Sequence, residues 1–218
     1  MLADDASSPK QTKGARTARR ILDAAEELFA QQGYDGTSLR QIAERVGIKE
    51  PGLYNHFAGK QALYEAVLFR ALNPMAQALA QLMEDASQLR DYTDLPSVMT
   101  DILFEHPQMA SLFQQGMQGD TNSTGNQLVN GWLEKLFNQG MHSMEEFGGV
   151  TATSSAGQTA QDRATLAINV IAMFNLTTGY FLAQRAFDSL AAGDLLDPDN
   201  IAKQKRLLHK VIRAMLIS

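Results

Sequence analysis

Apolar residues recur at helical spacing along most of the chain. In the N-terminal part, from about Ala15 to Gly33, one helical face carries Ile21, Leu22, Ala25, Leu28 and Phe29. The alternation of apolar and polar residues that is typical of half-buried strands is not found in any segment. The pattern therefore predicts an all-α protein.

A second and a third helix follow the first at short intervals. Thr37 or Ser38 can cap the second helix, and Gln41 has the spacing from Ser38 that a capping box requires. Gly47 ends that helix, and Pro51 suits the first position of a very short third one. Two short helices joined by a glycine turn after a longer helix indicate a helix-turn-helix.

Beyond Lys60 the helical pattern continues with longer elements. We expect a fourth helix up to about Ala86 with a kink at Pro74, and a fifth and sixth separated by His106-Pro107 and ending near Gly119. Three more are expected over 126–147, 160–191 and 199–217, with a link over 148–159. The whole pattern predicts about nine helices. We divide the chain into a disordered tail over 1–13, a DNA-binding domain over 14–60, and a ligand-binding and dimerisation domain over 61–218.

The charge is divided unevenly along the 218 residues. The net charge of −5 argues against a nucleic-acid partner, yet residues 1–60 have nine Lys/Arg against eight Asp/Glu, and residues 61–218 have ten against sixteen. Basic charge is thus concentrated in the segment with the helix-turn-helix pattern. There is no cysteine, no secretory signal pattern and no apolar run near ~18 residues. We expect a cytoplasmic protein without a membrane partner.

The sequence patterns that indicate catalysis are missing. The four histidines, at 56, 106, 142 and 209, are far apart and lack metal-ligand spacing. Neither a glycine-rich phosphate loop nor a nucleophile elbow is present. We expect no enzyme activity, no catalytic residue, no cofactor and no metal.

The segment from Thr17 to Leu68, TARRILDAAEELFAQQGYDGTSLRQIAERVGIKEPGLYNHFAGKQALYEAVL, resembles the DNA-binding domain of TetR (tetracycline-repressor-type) family transcriptional regulators. The resemblance rests on the run Ala-x-x-Leu-Phe, Gly-Tyr, Thr-Ser, Ile-Ala, the turn glycine and Leu-Tyr-x-His-Phe. It implies a homodimeric repressor that binds a palindromic operator in double-stranded DNA and releases it when a small molecule enters the C-terminal domain. A ligand-independent DNA-binding regulator, or an activator, is the alternative.

The resemblance also implies roles for individual residues. Arg40 would reach a base. Glu50 stands where relatives often have a neutral or basic residue, and Gly52 stands where Thr, Ser or Ala is common. Around the groove side of the third helix lie Lys49, Glu50, Gly52, Asn55 and His56. The implied phosphate contacts are Thr37, Ser38, Tyr54 and Lys60.

In the C-terminal part, aromatic, methionine and a few polar residues stand on otherwise apolar segments. Such a set favours a pocket for an apolar or amphipathic ligand, with methionines that adapt to its shape. The expected ligand contacts are Phe104, His106, Met109, Phe113, Trp132, Phe137, Met141, Asn169, Met173, Asn175 and Thr177. The last two helices would expose a large apolar patch on a monomer, so we expect the homodimer to form through them.

Overall fold

The computed structural model describes residues 12–85, 89–147 and 156–217. Within these ranges the chain is all-α, as the sequence predicts, and no strand is found there. The helices are α1 Lys13–Gly36, α2 Leu39–Val46, α3 Glu50–Leu53, α4 Lys60–Asp85, a 3-10 helix Leu89–Asp94, α5 Leu95–Glu105, α6 Met109–Gln118, α7 Thr124–Phe147, α8 Ala156–Phe181, α9 Gln184–Leu190 and α10 Pro198–Ile217.

The described residues hold ten α-helices rather than about nine, because the helix expected over 160–191 is divided into α8 and α9. The break lies where two side chains hold the loop that follows α9. Tyr180 donates its hydroxyl hydrogen to the carbonyl oxygen of Leu195 at 2.6 Å, and Gln184 accepts from the Leu195 N–H at 2.9 Å. These bonds join residues 11 and 15 positions apart, so helical periodicity alone does not reveal the break.

Two other expected boundaries also differ. Lys13 is already helical, since the Thr12 hydroxyl caps α1 by accepting from the Ala15 N–H at 3.2 Å; residues 1–11 lie outside the described part. Likewise α8 begins at Ala156, inside the expected link, and residues 148–155 of that link lie outside the described ranges.

Contacts group the residues up to Val67 in one unit and those from Leu68 onward in another. The division falls inside α4, a little later than the boundary expected at residue 60. In the first unit the ring of Phe29 lies 4.8 Å from that of Tyr64 and 6.1 Å from that of Tyr34, centroid to centroid. Leu53 is also fully buried. This core holds α1, α3 and the start of α4 in place.

The second unit has its own apolar core. One cluster consists of Leu79, Tyr92, Met141, Val170, Met173 and Ile212. Helices α6 and α7 approach so closely that a Cβ placed on Gly116 would lie 2.4 Å from a methyl carbon of Val129. The core of this unit therefore joins helices that are distant in sequence, in the cluster, as well as the consecutive helices α6 and α7.

One segment of α8 is more apolar than the sequence pattern led us to expect. Arg163–Phe181 has a mean hydropathy of 1.3 over a membrane-length window, of which 28% is buried. Length and composition alone would let it cross a membrane. Asn169 and Asn175 interrupt its surface, and an apolar helix face of this kind is equally expected where two protein surfaces meet.

Candidate nucleic-acid interface and apolar cavity

The turn between α2 and α3 is fixed by local hydrogen bonds. At the start of α2 the Gln41 N–H donates to the Ser38 hydroxyl oxygen at 3.2 Å, while the Ser38 N–H donates to the Gln41 side-chain oxygen at 2.7 Å. This is the capping box expected from the sequence. At the other end Gly47 adopts φ 74° and ψ 36°, and its N–H donates to carbonyl oxygens of the last turn. The left-handed conformation suits glycine and turns the chain toward α3.

Helix α3 is a single turn that presents polar residues to solvent. Its first residue is Glu50, its second is Pro51, and Leu53 is its buried anchor. Lys49 and Asn55 are exposed, Tyr54 is 52% exposed, and Glu50, Gly52 and His56 are half-buried. The candidate base-reading residues around α3 are therefore at least partly accessible to solvent.

Two of the candidate phosphate-contacting residues use their hydroxyl groups inside the protein. The Thr37 side chain is 2% exposed, and its hydroxyl lies 2.8 Å from the Gly33 carbonyl oxygen and 3.2 Å from that of Leu28. Ser38 is exposed, but its hydroxyl belongs to the capping box. Thr37 thus holds the turn between α1 and α2, a structural role that the sequence did not separate from a phosphate contact.

Lys60 and Arg40 carry positive charge on the first unit. The Lys60 ammonium lies 4.4 Å above the ring centroid of Tyr34 and 3.5 Å from the carbonyl oxygen of Asp35. Arg40 is exposed and paired with Glu44, Nε to Oε1, at 2.9 Å. The hydrogen bond and the charge of Glu44 raise the pKa of Arg40. An exposed pair of this kind is worth little in water and can exchange Glu44 for another acceptor.

Arg20 is a contributor to this region that the sequence did not identify. Its guanidinium donates to the carbonyl oxygen of Val46 at 2.6 Å, at the last residue of α2. A cation at the carboxyl end of a helix is favourable, and here it joins α1 to α2 beside the Gly47 turn. The two residues are 26 positions apart, so no local sequence signal pairs them.

An apolar cavity of about 40 Å³ lies within the second unit. Among the described residues its lining has no polar side chain, and it draws on α4, α5, α7 and α8. Its volume could hold a few water-sized groups, far less than the ~300–1,000 Å³ of an ordinary ligand pocket. The lining residues are Met75, Leu79, Leu95, Pro96, Met99, Leu136, Phe137, Gly140, Val170, Met173 and Phe174.

Of the expected ligand contacts, the structure places two, Phe137 and Met173, in this lining. Phe113 lies one ring behind it, with its centroid 5.7 Å from that of Phe174, and Trp132 lines a separate groove. Met141 is buried in the same cluster as three lining residues but does not itself line the cavity. Met109 and Thr177 are also buried outside the lining, His106 and Asn169 are half-buried, and Phe104 and Asn175 are exposed. Helical spacing identified the apolar residues but not which helix faces meet.

The described ranges contain no cluster of three or more His, Cys, Asp or Glu side chains that could hold a metal ion. His106 instead ends α5, where its N–H donates to the carbonyl oxygen of Ile102 at 3.2 Å.

Residues 21–67 match the family model described as bacterial regulatory proteins, tetR family. The chain is 35% identical over 95 residues to the HTH-type transcriptional regulator RutR of Escherichia coli (strain K12), covering 44% of this chain and 45% of RutR. It is 50% identical over 46 residues to the biofilm operon icaADBC HTH-type negative transcriptional regulator IcaR of Staphylococcus aureus (strain Newman), covering 21% of this chain and 25% of IcaR. The aligned part thus spans less than half the length of either relative.

The fold likeness extends further than the sequence likeness. A TetR-family transcriptional regulator from Bordetella parapertussis 12822 superposes with a TM-score of 0.64 at 13% identity, covering 91% of this chain and 93% of the other. At this identity the likeness concerns the fold alone.

Proposed function

The chain belongs to the tetR family of bacterial regulatory proteins, whose members are transcriptional regulators and not enzymes, and from this premise we propose that it is a cytoplasmic, homodimeric repressor. It binds a palindromic operator and is released by a small apolar or amphipathic molecule. The observation that carries the proposal is the pairing, in one chain, of a capped helix-turn-helix with an apolar cavity lined in part by α4.

The exposed surface around α3 supports the DNA-binding half of the proposal. Lys49, Asn55 and His56 provide donors and acceptors for base edges in a major groove, and Arg40 can bond guanine once it leaves Glu44. Tyr54 and Lys60 supply phosphate contacts, and so does the exposed residue Ser38. The phosphate contacts fix the register of the protein on the duplex, and the contacts with base edges determine which DNA sequence is preferred.

Glu50 and Gly52 distinguish this surface chemically. The Glu50 carboxylate would accept from a cytosine amine or turn away from the phosphates. A Cβ on Gly52 would meet no atom within 4 Å, so the glycine leaves room at the surface of α3 for a close approach by DNA.

Exposed apolar residues on α8 and α10 support a homodimer through these helices, which lie in the two segments expected from the sequence, 160–191 and 199–217. Ile168 is 66% exposed, Ile171 49% and Leu207 56%. Burying such a patch across a two-fold axis would form a four-helix bundle and remove it from water. To read two half-sites one helical turn of DNA apart, the dimer must present its two α3 helices about 34–36 Å apart.

Helix α4 gives ligand entry a path to the DNA-binding residues. It is one element from Lys60 to Asp85, and it contributes Met75 and Leu79 to the cavity lining. Because the cavity is small, a ligand must displace these side chains in order to enter. A displacement that alters the spacing of both half-site helices needs a coupling of only ~1–3 kcal/mol to change operator occupancy about 5–150-fold.

Band-shift titration across salt concentrations tests the DNA half. Lys60→Ala should weaken binding to all sequences alike and flatten the slope of log affinity against log salt by about one unit. Arg185→Ala removes an exposed charge from α9 and serves as the control with an unchanged slope. Equal slopes for the Lys60→Ala variant and the unsubstituted protein would show that Lys60 does not contact phosphate.

The alternative is a regulator that needs no ligand, or an activator. Selection of bound genomic fragments by the purified protein gives the operator, and its position relative to promoters separates repression from activation. If no apolar compound weakens operator binding, ligand-independent regulation is the better description.

A further inference from the structure

A second space lies beside the apolar cavity, on two of the four helices that line it, α4 and α7. This space, of about 80 Å³, is lined by Leu72 and Ala76 of α4 and by Trp132, Lys135, Leu136 and Gln139 of α7. We call it the α4–α7 groove. Leu136 lines both spaces, so the cavity and the groove meet at this side chain.

The two spaces differ in chemistry. The cavity lining is apolar, whereas the groove brings a cation, an indole and an amide to one face of α7. The Lys135 ammonium lies 5.6 Å from the centroid of the Trp132 ring, at the outer limit of a cation–π contact. Lys135 is exposed and Trp132 is half-buried, so a bound molecule can reach both from solvent.

Positive charge is scarce in this part of the sequence. From 68 to 147 there are three basic residues, Arg70, Arg90 and Lys135, against ten acidic ones. Within this stretch of sequence, few side chains can therefore attract an anion. Lys135 places one of these charges in the α4–α7 groove, which shares Leu136 with the apolar cavity.

The α4 side of the groove is suited to movement. Pro74 lies between Leu72 and Met75 and has no N–H to donate to the carbonyl oxygen of Arg70, one turn earlier. A helix bends more easily at such a position. The missing hydrogen bond thus weakens α4 at the level of the groove and the cavity, whose small volumes require side chains to move before a ligand can enter.

We propose that the α4–α7 groove holds the anionic head group of an amphipathic ligand, against Lys135 and Trp132, while its hydrocarbon tail passes Leu136 into the apolar cavity. This rests on the proposed function, and specifies the ligand class of its effector site. The indole covers the first methylenes of the tail and the ammonium pairs with the head group.

The single tryptophan of the chain is the reporter. Trp132 emission is followed while the full-length protein is titrated at pH 8 with dodecanoate, 1-dodecanol or dodecyltrimethylammonium, each below its aggregation threshold. The three probes share a tail and differ in head-group charge. We expect dodecanoate to bind about three- to tenfold more tightly than dodecanol, and dodecyltrimethylammonium to bind most weakly.

Variants then locate the charge. Lys135→Met should bring dodecanoate to the affinity of dodecanol and leave dodecanol binding unchanged, while Lys135→Arg should keep the preference. Arg185→Met, which removes a basic residue from α9, is the matched control and should behave as the unsubstituted protein does. Because Lys135 is exposed, these variants should fold, which far-ultraviolet circular dichroism checks.

The outcomes separate the two proposals. If dodecanoate and dodecanol bind equally, or if the Lys135→Met variant keeps the preference, the head-group site is wrong and the apolar cavity stands. If none of the three probes binds, the apolar effector site of the proposed function fails, and the head-group site fails with it.

Discussion

The helix-turn-helix unit and the C-terminal unit set the ends of their helices by different means. In the first, Thr12 and Ser38 cap α1 and α2 with side-chain oxygens, and Gly47 ends α2 in a left-handed conformation. In the second, α5, α6 and α9 begin without a side-chain cap. Local sequence therefore decides the limits of α1 and α2, whereas α3 in the first unit and α5, α6 and α9 in the second begin without a side-chain cap and depend more on packing.

The largest expected effect concerns α3, which is too short to be stable without packing against the rest of the first unit. Helix α3 is four residues long and Leu53 is its one fully buried side chain. Leu53→Ala should lower the free energy of unfolding by about 2–5 kcal/mol, because it removes buried methyl groups and leaves a cavity. Urea denaturation followed by circular dichroism measures the loss, and band shift should show weaker operator binding.

Leu190→Ala is the control for this substitution, because Leu190 in α9 is 86% exposed. It should change stability by less than about 0.5 kcal/mol. Comparable losses for the two variants would mean that α3 does not depend on its buried anchor, and that its local sequence is sufficient.

This difference explains how much the sequence could predict. Ser38, Gly47 and Pro51 act within a few residues of one another, so their roles around α2 and α3 could be predicted from local sequence alone. The cavity could not be assigned in the same way: Met109 and Met173 are both buried methionines on helices, yet only Met173 lines it. Contacts between distant residues decide which helix faces meet. The helical periodicity of a single sequence says little about such contacts.

Thr37 shows the same limit inside the first unit. Its type and position suit a helix cap or a phosphate contact, and the sequence left both possible. In the structure the hydroxyl instead lies 2.8 Å from the Gly33 carbonyl oxygen, four residues away, and 3.2 Å from that of Leu28, nine residues away. Which carbonyl groups a buried hydroxyl meets is decided by the path of the chain between two helices, so the sequence does not reveal this role even where the helices are predicted well.

A pair of glycines tests packing in the second unit. A Cβ on Gly116 of α6 would lie 2.4 Å from Val129, whereas one on Gly131 of α7 would meet nothing within 4 Å. Gly116→Ala should therefore destabilise by about 1–3 kcal/mol, and Gly131→Ala should stabilise by up to about 1 kcal/mol. Thermal unfolding compares them, and equal effects would contradict a close α6–α7 contact.

A second pair of glycines tests local conformation in the first unit. Gly47 has φ 74° with open space around it, and Gly52 lies in α3 with similar space. Gly47→Ala should cost about 1–2 kcal/mol through backbone strain alone, while Gly52→Ala should gain about 0.4–1 kcal/mol. Opposite signs from the same substitution, measured by urea denaturation, would confirm that conformation rather than space fixes Gly47. A loss of stability in both variants would contradict it.

The smallest expected effect appears only in alkaline solution. Burial, followed by the charges of Tyr34 and Asp35, raises the pKa of Tyr64 above its usual value of 10. As pH rises, the Tyr64 hydroxyl therefore loses its proton in the unfolded chain before it does so in the folded one. The contribution of this hydroxyl to the free energy of unfolding is complete below about pH 10 and declines above it. Near pH 11 the loss should approach about 1.4 kcal/mol. Tyr64→Phe keeps the ring against Phe29 and Tyr34 and should flatten the decline by that amount, as urea denaturation at pH 8, 10 and 11 would measure. An equally steep decline in the variant would show that the Tyr64 hydroxyl is not the titrating group, and that the aromatic core of the first unit is open to water.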